Sequence, residues 1–330
     1  MVNIEEIIGN EFRGCISIKK QGETLFERAY GYSDLSNQVP NTMDTRFATA
    51  SAGKVFVAAA ILQLVELGRI ALESTIGSIL EFSLHNIDPD VTVEQLLTHT
   101  SGIPDYFDEE IMDDYADLWR DFPNYRIRKS SDLLPLFITK PMMFSKGEKF
   151  FYNNAGFVML GLVIEAVTKK PFDQHLKECI FNPVGMDRTG YYELDRLPEK
   201  CASNYIYDEE KCEYYTNIFS VDAKGTGAGG AFTTIGDVEK IWNGLLSYQL
   251  LSPEMTQKML KTYSKNTFED DYGYGIWLKN ETLPYFTGKD PGVSFISAYE
   301  LEKGILVTIV SNFEDNVWKM LRKIREGLEF

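Results

Sequence analysis

The stretch ATASAGKVFVAAAILQLVELG, residues 48–68, is apolar on nearly every face of the helix that its composition predicts. Such a helix belongs in a protein interior, yet its start carries the hydroxyl of Ser51 and the amine of Lys54. Residues three apart on a helix have Cβ atoms about 5–6 Å from each other, so the two side chains can touch. The stretch therefore predicts a buried helix with a polar pair at its first turn.

The Ser51 and Lys54 pair suits nucleophilic catalysis. The neighbouring Phe56, valines and alanines exclude water from the ammonium, which lowers the cost of deprotonation and makes the amine a proton acceptor for the hydroxyl. N–H groups at the helix start would support a developing oxyanion. A structural alternative stays open, in which Ser51 caps the helix and Lys54 reaches water. The string SxxK recurs at Ser17 and Lys20 on a predicted strand, so it is unspecific without its context.

Composition bounds the class of protein. The 330 residues suffice for one large domain or two intertwined ones. The net charge of −16 disfavours nucleic acid and anionic membrane surfaces as partners. We find no secretory signal or membrane span, and the cysteines show neither metal nor redox spacing, so we expect a cytoplasmic protein with reduced thiols at Cys15, Cys179, Cys201 and Cys212.

Strand patterns occur at both ends of the chain, and helical patterns occupy the middle. A hairpin is predicted before residue 31, and further strands are predicted between residues 272 and 312. We therefore expect an α/β fold of the α+β type, with one central antiparallel sheet built from N- and C-terminal strands, flanked by helices. The predicted domains are a discontinuous sheet domain, residues 1–75 and 215–330, and an inserted mainly helical domain, residues 76–214, with the cleft between them.

Four segments carry a resemblance to a known family. The helix above resembles the active-serine helix of the serine β-lactamase-like family, which includes class C β-lactamases, penicillin-binding proteins, DD-peptidases and esterases. VEQLLTHTSGIPDY (93–106), FYNNAGFVMLGLVIEAV (151–167) and GAGGAFTTIGDVEK (227–240) resemble later segments of that family, in the same order. The resemblance implies a β-lactamase/transpeptidase-like fold and an acyl-enzyme mechanism.

The resemblance also implies roles for two polar residues in the middle of the chain. It places Tyr152 and Asn154 as the family's YxN motif, with the phenol relaying the proton of Ser51 and the amide orienting the substrate. The alternative roles are packing for Tyr152 and helix capping by Asn153 or Asn154, and capping is compatible with catalysis.

The family's third motif, Lys-Thr-Gly or His-x-Gly, matches Phe286, Thr287 and Gly288 here, so the cation is replaced by phenylalanine. Strand alternation places Lys289 on the opposite face from Phe286. We therefore expect weak recognition of penicillin-like carboxylates and an apolar cleft wall at Phe286. By resemblance, the oxyanion hole would be formed by the backbone N–H groups of Ser51 and Lys289.

Other features of the sequence do not predict a nucleotide or metal site. GTGAGG (225–230) fits the dinucleotide-binding spacing, but it lacks the surrounding βαβ unit. The three histidines show no metal-ligand spacing, and we expect neither a metal nor an organic cofactor. The acidic segment 104–124 is predicted to be a solvated loop whose aromatic side chains cover the cleft.

Our first functional hypothesis is a cytoplasmic serine hydrolase for a carboxylic ester, a small amide or a short peptide. Ser51 would be the nucleophile, with Lys54 and Tyr152 moving the proton, and Asn154, Phe286, Thr287, Gly288 and Lys289 contacting the substrate. A second hypothesis is a binding protein that is acylated but turns over little. A third is a true β-lactamase or DD-carboxypeptidase. The sequence leaves the physiological substrate and the oligomeric state open.

Overall fold

The structure, a computed structural model, describes residues 4–9, 11–108, 111–112, 114–265 and 270–330. Within these ranges the α-helices are α1 (Ile4–Ile8), α2 (Lys54–Glu66), α3 (Ile76–Ile79), α4 (Val93–Leu97), α5 (Asn154–Thr168), α6 (Phe172–Leu176), α7 (Ile235–Leu246), α8 (Pro253–Met259) and α9 (Val317–Leu328). The strands are β1 (Gly14–Lys20), β2 (Glu23–Tyr30), β3 (Tyr32–Asp34), β4 (Val39–Pro40), β5 (Phe47–Ala48), β6 (Tyr205–Asp208), β7 (Glu213–Thr216), β8 (Phe232–Thr233), β9 (Asp271–Tyr272), β10 (Trp277–Lys279), β11 (Leu283–Asp290), β12 (Val293–Glu300) and β13 (Ile305–Ser311).

One large sheet joins the two ends of the chain. Its strand order is β2-β1-β13-β12-β11-β10-β9, and neighbouring strands are antiparallel. The N-terminal strand β1 pairs with β13 from Gly14 opposite Ser311 to Lys20 opposite Ile305. The expected central antiparallel sheet with flanking helices is confirmed.

Both faces of the sheet are covered. The larger hydrophobic core contains α2, α5 and α7, and a second core packs α1 and α9 against the opposite face. Strand β13 is therefore buried at all of its residues, whereas the edge strand β2 is mostly exposed. Burial on both faces explains why apolar residues in the sequence of β13, ILVTIVS, occupy adjacent positions rather than alternating ones.

Three sequence predictions differ from the structure in their details. The helix predicted from residue 48 begins as a 3-10 turn, Ala50–Gly53, and becomes α-helical at Lys54. The segment 131–140 has one of the helical patterns of the middle of the chain and was predicted to be a helix. It forms a 3-10 helix, Ser130–Leu136, with Pro135 inside it, which cannot donate an N–H group. The strand predicted at 272–280 divides into β9 and β10. The predicted domain division at residues 75/76 and 214/215 stays a prediction.

One absence is established for the described part of the chain. None of its helices combines the length and the apolarity needed to cross a membrane.

The acidic segment forms irregular chain and the 3-10 turn Tyr115–Trp119, while residues 109, 110 and 113 of that segment lie outside the described residues.

Asn312 ties the sheet to two other parts of the chain. Its side chain is fully buried, and its Nδ2 donates to the carbonyl oxygens of Tyr32 at 3.1 Å and Ser203 at 2.8 Å. Its Oδ1 accepts a hydrogen bond from Asn41 Nδ2 at 3.2 Å. One amide thus connects the end of β13 with the N-terminal segment and the segment before β6.

We predict that Asn312→Ala lowers the free energy of unfolding by about 2–4 kcal/mol, because it removes three buried hydrogen bonds and leaves their partners desolvated. Urea denaturation measures the change. The control is Asn243→Ala on the exposed side of α7, which we expect to change stability by less than about 0.5 kcal/mol. Equal unfolding midpoints for the two variants would contradict the structural role of Asn312.

Candidate active site

Ser51 and Lys54 lie at the junction between the 3-10 turn Ala50–Gly53 and α2. The left-handed backbone of Ala50, with φ of 46°, starts this turn. A 3-10 helix has about three residues per turn, so side chains at positions i and i+3 lie directly above one another. This geometry brings Lys54 Nζ to 2.9 Å from Ser51 Oγ.

The Lys54 side chain is buried, with 2% of its surface exposed. Its Nζ donates to Ser51 Oγ at 2.9 Å, to Asn154 Oδ1 at 2.8 Å and to the carbonyl oxygen of Ala228 at 2.6 Å. A lysine ammonium has three N–H donors, and three acceptors surround this one. The alternative in which Lys54 extends to water is therefore wrong. Ser51 is not a helix cap either, since Thr49 precedes the 3-10 turn and Gly53 precedes α2.

Tyr152 lies beside the buried ammonium. Its ring centroid is 5.0 Å from Lys54 Nζ, and the ring packs between His99, at 4.5 Å, and Trp277, at 6.0 Å. His99 also holds the backbone on either side of Tyr152. The His99 carbonyl accepts from Phe151 N at 2.9 Å, and His99 Nδ1 accepts from Asn153 N at 3.1 Å. The structure thus brings Ser51, Lys54 and Tyr152 together.

His99 is a residue whose contribution the sequence did not indicate. Burial, followed by the nearby Lys54 charge, lowers the pKa of His99 well below its ordinary value, so the ring is neutral. Since Nδ1 accepts a hydrogen bond, the ring proton resides on Nε2. The neutral ring fills the space behind Tyr152 without adding a second positive charge next to Lys54.

Asp105 positions Asn154 at the start of α5. The Asp105 carboxylate accepts hydrogen bonds from the backbone N–H groups of Asn154 at 2.6 Å, Ala155 at 3.0 Å and Tyr106 at 2.7 Å. Burial raises the pKa of Asp105 to about 7, against the opposing effect of these N–H donors. Asn153 is the helix cap, with Oδ1 accepting from Gly156 N at 2.7 Å, so capping and the contact with Lys54 are divided between neighbouring residues.

Strand β11 runs past the serine at close range. A Cβ atom on Gly288 would lie 2.3 Å from the carbonyl oxygen of Thr49 and 2.6 Å from Ser51 N. Only glycine allows the two backbones to approach this closely. The expected contact between the third-motif strand and the serine turn is therefore present.

Of the two residues before Gly288 in the third-motif match, Thr287 lines the cavity and Phe286 does not. Phe286 is 2% exposed and stacks in the core on Trp242, with 5.1 Å between ring centroids, so the prediction that it forms a cleft wall is wrong. The Thr287 hydroxyl donates to the Phe295 carbonyl at 2.7 Å and accepts from Trp318 Nε1 at 2.8 Å. Its donor is therefore already used within the protein.

The cavity above these residues has a volume of about 990 Å³. Ser51, Tyr152, Asn154 and Gly288 lie in its wall, and exposed Lys289 lies further along β11. Of the aromatic residues expected to cover the cleft, Tyr106, Phe107 and Tyr115 line it and Trp119 does not. In the described ranges, no group of three histidine, cysteine or carboxylate side chains is arranged as metal ligands.

The segment 225–230 contributes to the floor of the cavity and does not form a nucleotide-binding loop with a strand and helix around it. Its Ala228 carbonyl is the third acceptor of Lys54. This role rests on a backbone atom, so no residue type in the sequence marks it. The role of Asp105 was also missed, because it lies 49 residues away in sequence from Asn154, whose N–H group it binds.

Asp222 carries a partly buried carboxyl in the cavity wall. Its Oδ1 accepts a hydrogen bond from Tyr115 Oη at 3.1 Å, and burial raises its pKa from 3.8 to about 7. Between these two values the folded protein binds more protons at this site than the unfolded chain does. The contribution of Asp222 to the free energy of unfolding therefore falls as the pH rises through this window.

We predict that the difference in unfolding free energy between wild type and Asp222→Asn is largest near pH 4, falls until about pH 7 and is constant above it. Urea denaturation at a series of pH values measures both proteins. The isosteric asparagine keeps the contact with Tyr115 and removes the titration. Parallel pH profiles for the two proteins would contradict the raised pKa of Asp222.

Comparison with known proteins agrees with this geometry. The Beta-lactamase family model matches residues 15–329. A solved penicillin-binding protein from Bacillus halodurans is 37% identical, with a TM-score of 0.94, covering 98% of this chain and 99% of that one.

Two curated relatives match at lower identity. Penicillin-binding protein 4* of Bacillus subtilis is 24% identical, over 93% of this chain and 69% of its own. Teichoic acid D-alanine hydrolase of Staphylococcus aureus is 26% identical, over 90% of this chain and 69% of its own. With the family model covering nearly the whole chain, this protein belongs to the Beta-lactamase family of serine β-lactamase/transpeptidase-like proteins.

Proposed function

We propose that this protein is a serine hydrolase that cleaves a carboxylic ester or a small amide through an acyl-enzyme intermediate. The observation that carries the proposal is the 2.9 Å hydrogen bond between Lys54 Nζ and Ser51 Oγ at the floor of an open cavity. A hydroxyl bonded to a buried amine is an arrangement suited to an activated nucleophile.

In the proposed reaction, Lys54 first releases one ammonium proton to solvent, and the resulting amine accepts the Ser51 hydroxyl proton as Oγ bonds to the substrate carbonyl carbon. The amine keeps two N–H groups for Asn154 Oδ1 and the Ala228 carbonyl, which lie at 2.8 Å and 2.6 Å, and these acceptors then stabilise the ammonium that forms. The proton passes through the Tyr152 phenol to the leaving group as the carbon–heteroatom bond breaks. Water then attacks the acyl-enzyme, which releases the carboxylic acid and restores the Ser51 hydroxyl.

The oxyanion of the tetrahedral intermediate would bind the backbone N–H groups of Ser51 and Lys289. The close approach of Gly288 to Ser51 N supports this assignment, because it brings the third-motif strand alongside the serine turn. Asn154, already fixed by Lys54 and Asp105, would orient the substrate amide or ester.

An ester or small amide is favoured over a penicillin or a cell-wall peptide. The third motif offers no cation at Phe286, and the Thr287 hydroxyl is engaged by Phe295 and Trp318. A substrate carboxylate would therefore find little support on this strand. The relative named as a teichoic acid D-alanine hydrolase is consistent with this choice.

We also propose a cytoplasmic location and a small-molecule substrate. The four free cysteines are consistent with a reducing compartment, and the net charge of −16 is unsuited to polyanionic partners.

A second candidate function is a binding protein that is acylated and releases the acyl group slowly. The observation that favours it is the missing third-motif cation at Phe286, since that position is expected to assist proton transfer in the family.

We predict that the wild-type protein releases p-nitrophenol from p-nitrophenyl acetate with turnover, and that Ser51→Ala lowers the rate at least about a thousandfold, because the nucleophile is lost. Intact mass spectrometry would find one acetyl group on wild type and none on Ser51→Ala. The control is Ser17→Ala in the other SxxK string, whose hydroxyl instead binds Glu27 at 2.9 Å.

The same experiment separates the alternatives. A persistent acetyl adduct without turnover would favour the slowly released binding protein. Rapid nitrocefin hydrolysis, or a stable benzylpenicillin adduct on Ser51, would favour a β-lactamase or a DD-carboxypeptidase. Equal rates for wild type and Ser51→Ala would refute all of these functions.

We predict that Tyr152→Phe lowers kcat by about 10²–10⁴-fold with little change in KM, because the ring still packs between His99 and Trp277 while the proton-carrying oxygen is absent. The matched control is Tyr248→Phe, at an exposed tyrosine outside the cavity, which we expect to keep wild-type kcat. An unchanged kcat in Tyr152→Phe would remove the phenol from the proton path and leave Lys54 as the only proton carrier.

A further inference from the structure

His99 is a buried histidine that lies behind the cavity wall. It is 1% exposed, and it is not among the residues that line the cavity with Ser51 and Tyr152. Its backbone is left-handed, with φ of 56°, a conformation that is uncommon for residues other than glycine and that persists only where the surrounding structure holds it. Full burial and a strained backbone together indicate that the contacts of His99 define its role.

Two hydrogen bonds of His99 hold the chain on both sides of Tyr152. One joins the His99 carbonyl to Phe151 N at 2.9 Å, and the other joins His99 Nδ1 to Asn153 N at 3.1 Å. Asn153 is in turn the N-terminal cap of α5. One residue thus fixes the main chain immediately before and immediately after the tyrosine, so a movement of the Tyr152 backbone would break at least one buried hydrogen bond.

The imidazole of His99 also supports the Tyr152 ring. The two ring centroids are 4.5 Å apart, and the rings of Tyr272 and Phe157 pack on the same imidazole at 4.7 Å and 5.2 Å. Both of these supports are buried, with 2% and 0% of their surfaces exposed. Since a close-packed interior yields little, the imidazole cannot move away from the Tyr152 ring without disturbing the core.

His99 gives this support without adding a charge. Burial and then the Lys54 charge lower its pKa well below the ordinary value, so the ring is neutral. A cation in this place would oppose the ammonium that forms on Lys54 when the Ser51 proton is transferred. Phenylalanine has a ring of similar shape but no acceptor for Asn153 N. Histidine therefore combines a flat ring, an acceptor at Nδ1 and the absence of charge.

We propose that His99 is a positioning residue for the reaction at Ser51 and acts through Tyr152, because its ring and its two hydrogen bonds hold the phenol in the proton path. This inference rests on the proposed function, in which the phenol carries the proton to the leaving group. A proton carrier must lie within hydrogen-bond distance of its partner, so a displacement of about 1 Å costs up to about a hundredfold in rate. Substrate binding does not depend on this proton transfer, and KM should change little.

A double-mutant cycle between His99 and Tyr152 tests the proposal, with phenyl acetate as the substrate because its leaving group is basic enough to need a proton. We expect His99→Ala to lower kcat by about a hundredfold with little change in KM, since both the ring and the acceptor are lost. In the Tyr152→Phe background, we expect His99→Ala to lower kcat by less than about threefold further. The group that His99 positions is then already absent, whereas a general loss of packing would lower kcat by the same factor in both backgrounds.

His99→Asn separates the ring from the hydrogen bond. Asparagine tolerates a left-handed backbone, and its Oδ1 is attached at the same point of the side chain as Nδ1, so the bond from Asn153 N can be kept. We expect kcat about tenfold above that of His99→Ala and about tenfold below wild type. If His99→Ala does not fold, the cycle is measured with His99→Asn, whose tenfold loss should disappear in the Tyr152→Phe background.

The matched control is His85, which shares the residue type and a left-handed backbone, with φ of 49°, but is exposed and does not line the cavity. His85→Ala and His85→Asn should keep the wild-type kcat. These variants include the cost of placing alanine in a left-handed conformation, so that cost is not mistaken for the loss of a positioning residue.

Three outcomes overturn the positioning role while Ser51-dependent hydrolysis continues. They are equal losses of kcat in the two backgrounds, a wild-type kcat for the His99 variants, and a raised KM with unchanged kcat. A wild-type kcat for Tyr152→Phe overturns it as well, since no phenol then remains in the proton path.

Failure of the proposed function is distinguishable, because the wild-type protein would then not hydrolyse the ester. In that case, ¹⁹F NMR of 3-fluorotyrosine incorporated at position 152 decides whether His99 holds the ring. A single resonance that shifts or broadens in His99→Ala, but not in His85→Ala, supports the placement of Tyr152 by His99. A resonance that is unchanged in His99→Ala overturns it.

Discussion

The buried ammonium of Lys54 is the constraint on which the rest of this structure depends. Removing a charge from water costs several kcal/mol, so an ammonium that is 2% exposed persists only when all of its donors are matched. Its acceptors come from three separate parts of the chain, at Ser51, Asn154 and Ala228. The fold must therefore hold three distant segments within hydrogen-bond distance of one nitrogen, and the same convergence assembles the candidate catalytic site.

Each acceptor is held by local structure of a different kind. The 3-10 turn fixes Ser51, and the Asp105 carboxylate fixes the N-terminus of α5 and with it Asn154. The Ala228 carbonyl is fixed by close backbone packing, because a Cβ on Gly229 would lie 2.3 Å from the carbonyl oxygen of Ala50. Since each support is itself buried and hydrogen-bonded or tightly packed, the site is preorganised by the fold.

The sequence was sufficient wherever a local pattern determined the outcome. Strand alternation at the two ends predicted the antiparallel sheet, and the spacing of Ser51 and Lys54 predicted their contact. The sequence was insufficient where residues distant along the chain determined the position of a side chain. The ring of Phe286 was expected in the cleft, but Trp242 offers it a stacking partner in the core, and no local rule reveals that partner. Contributions from backbone atoms, such as the Ala228 carbonyl, cannot be recognised from the residue type.

The two charged regions of the cavity have opposite energetic consequences. The Lys54 ammonium at the floor donates to three uncharged acceptors within the protein, so hydrogen bonds offset the cost of its burial. The partly buried carboxyls Asp222 and Glu314 in the cavity wall have raised pKa values, because burial opposes their charge more than their partners support it. A carboxyl that ionises less readily in the folded protein than in the unfolded chain lowers stability as the pH rises through the interval between the two pKa values. Such a cost is typical of groups at the wall of a functional cavity.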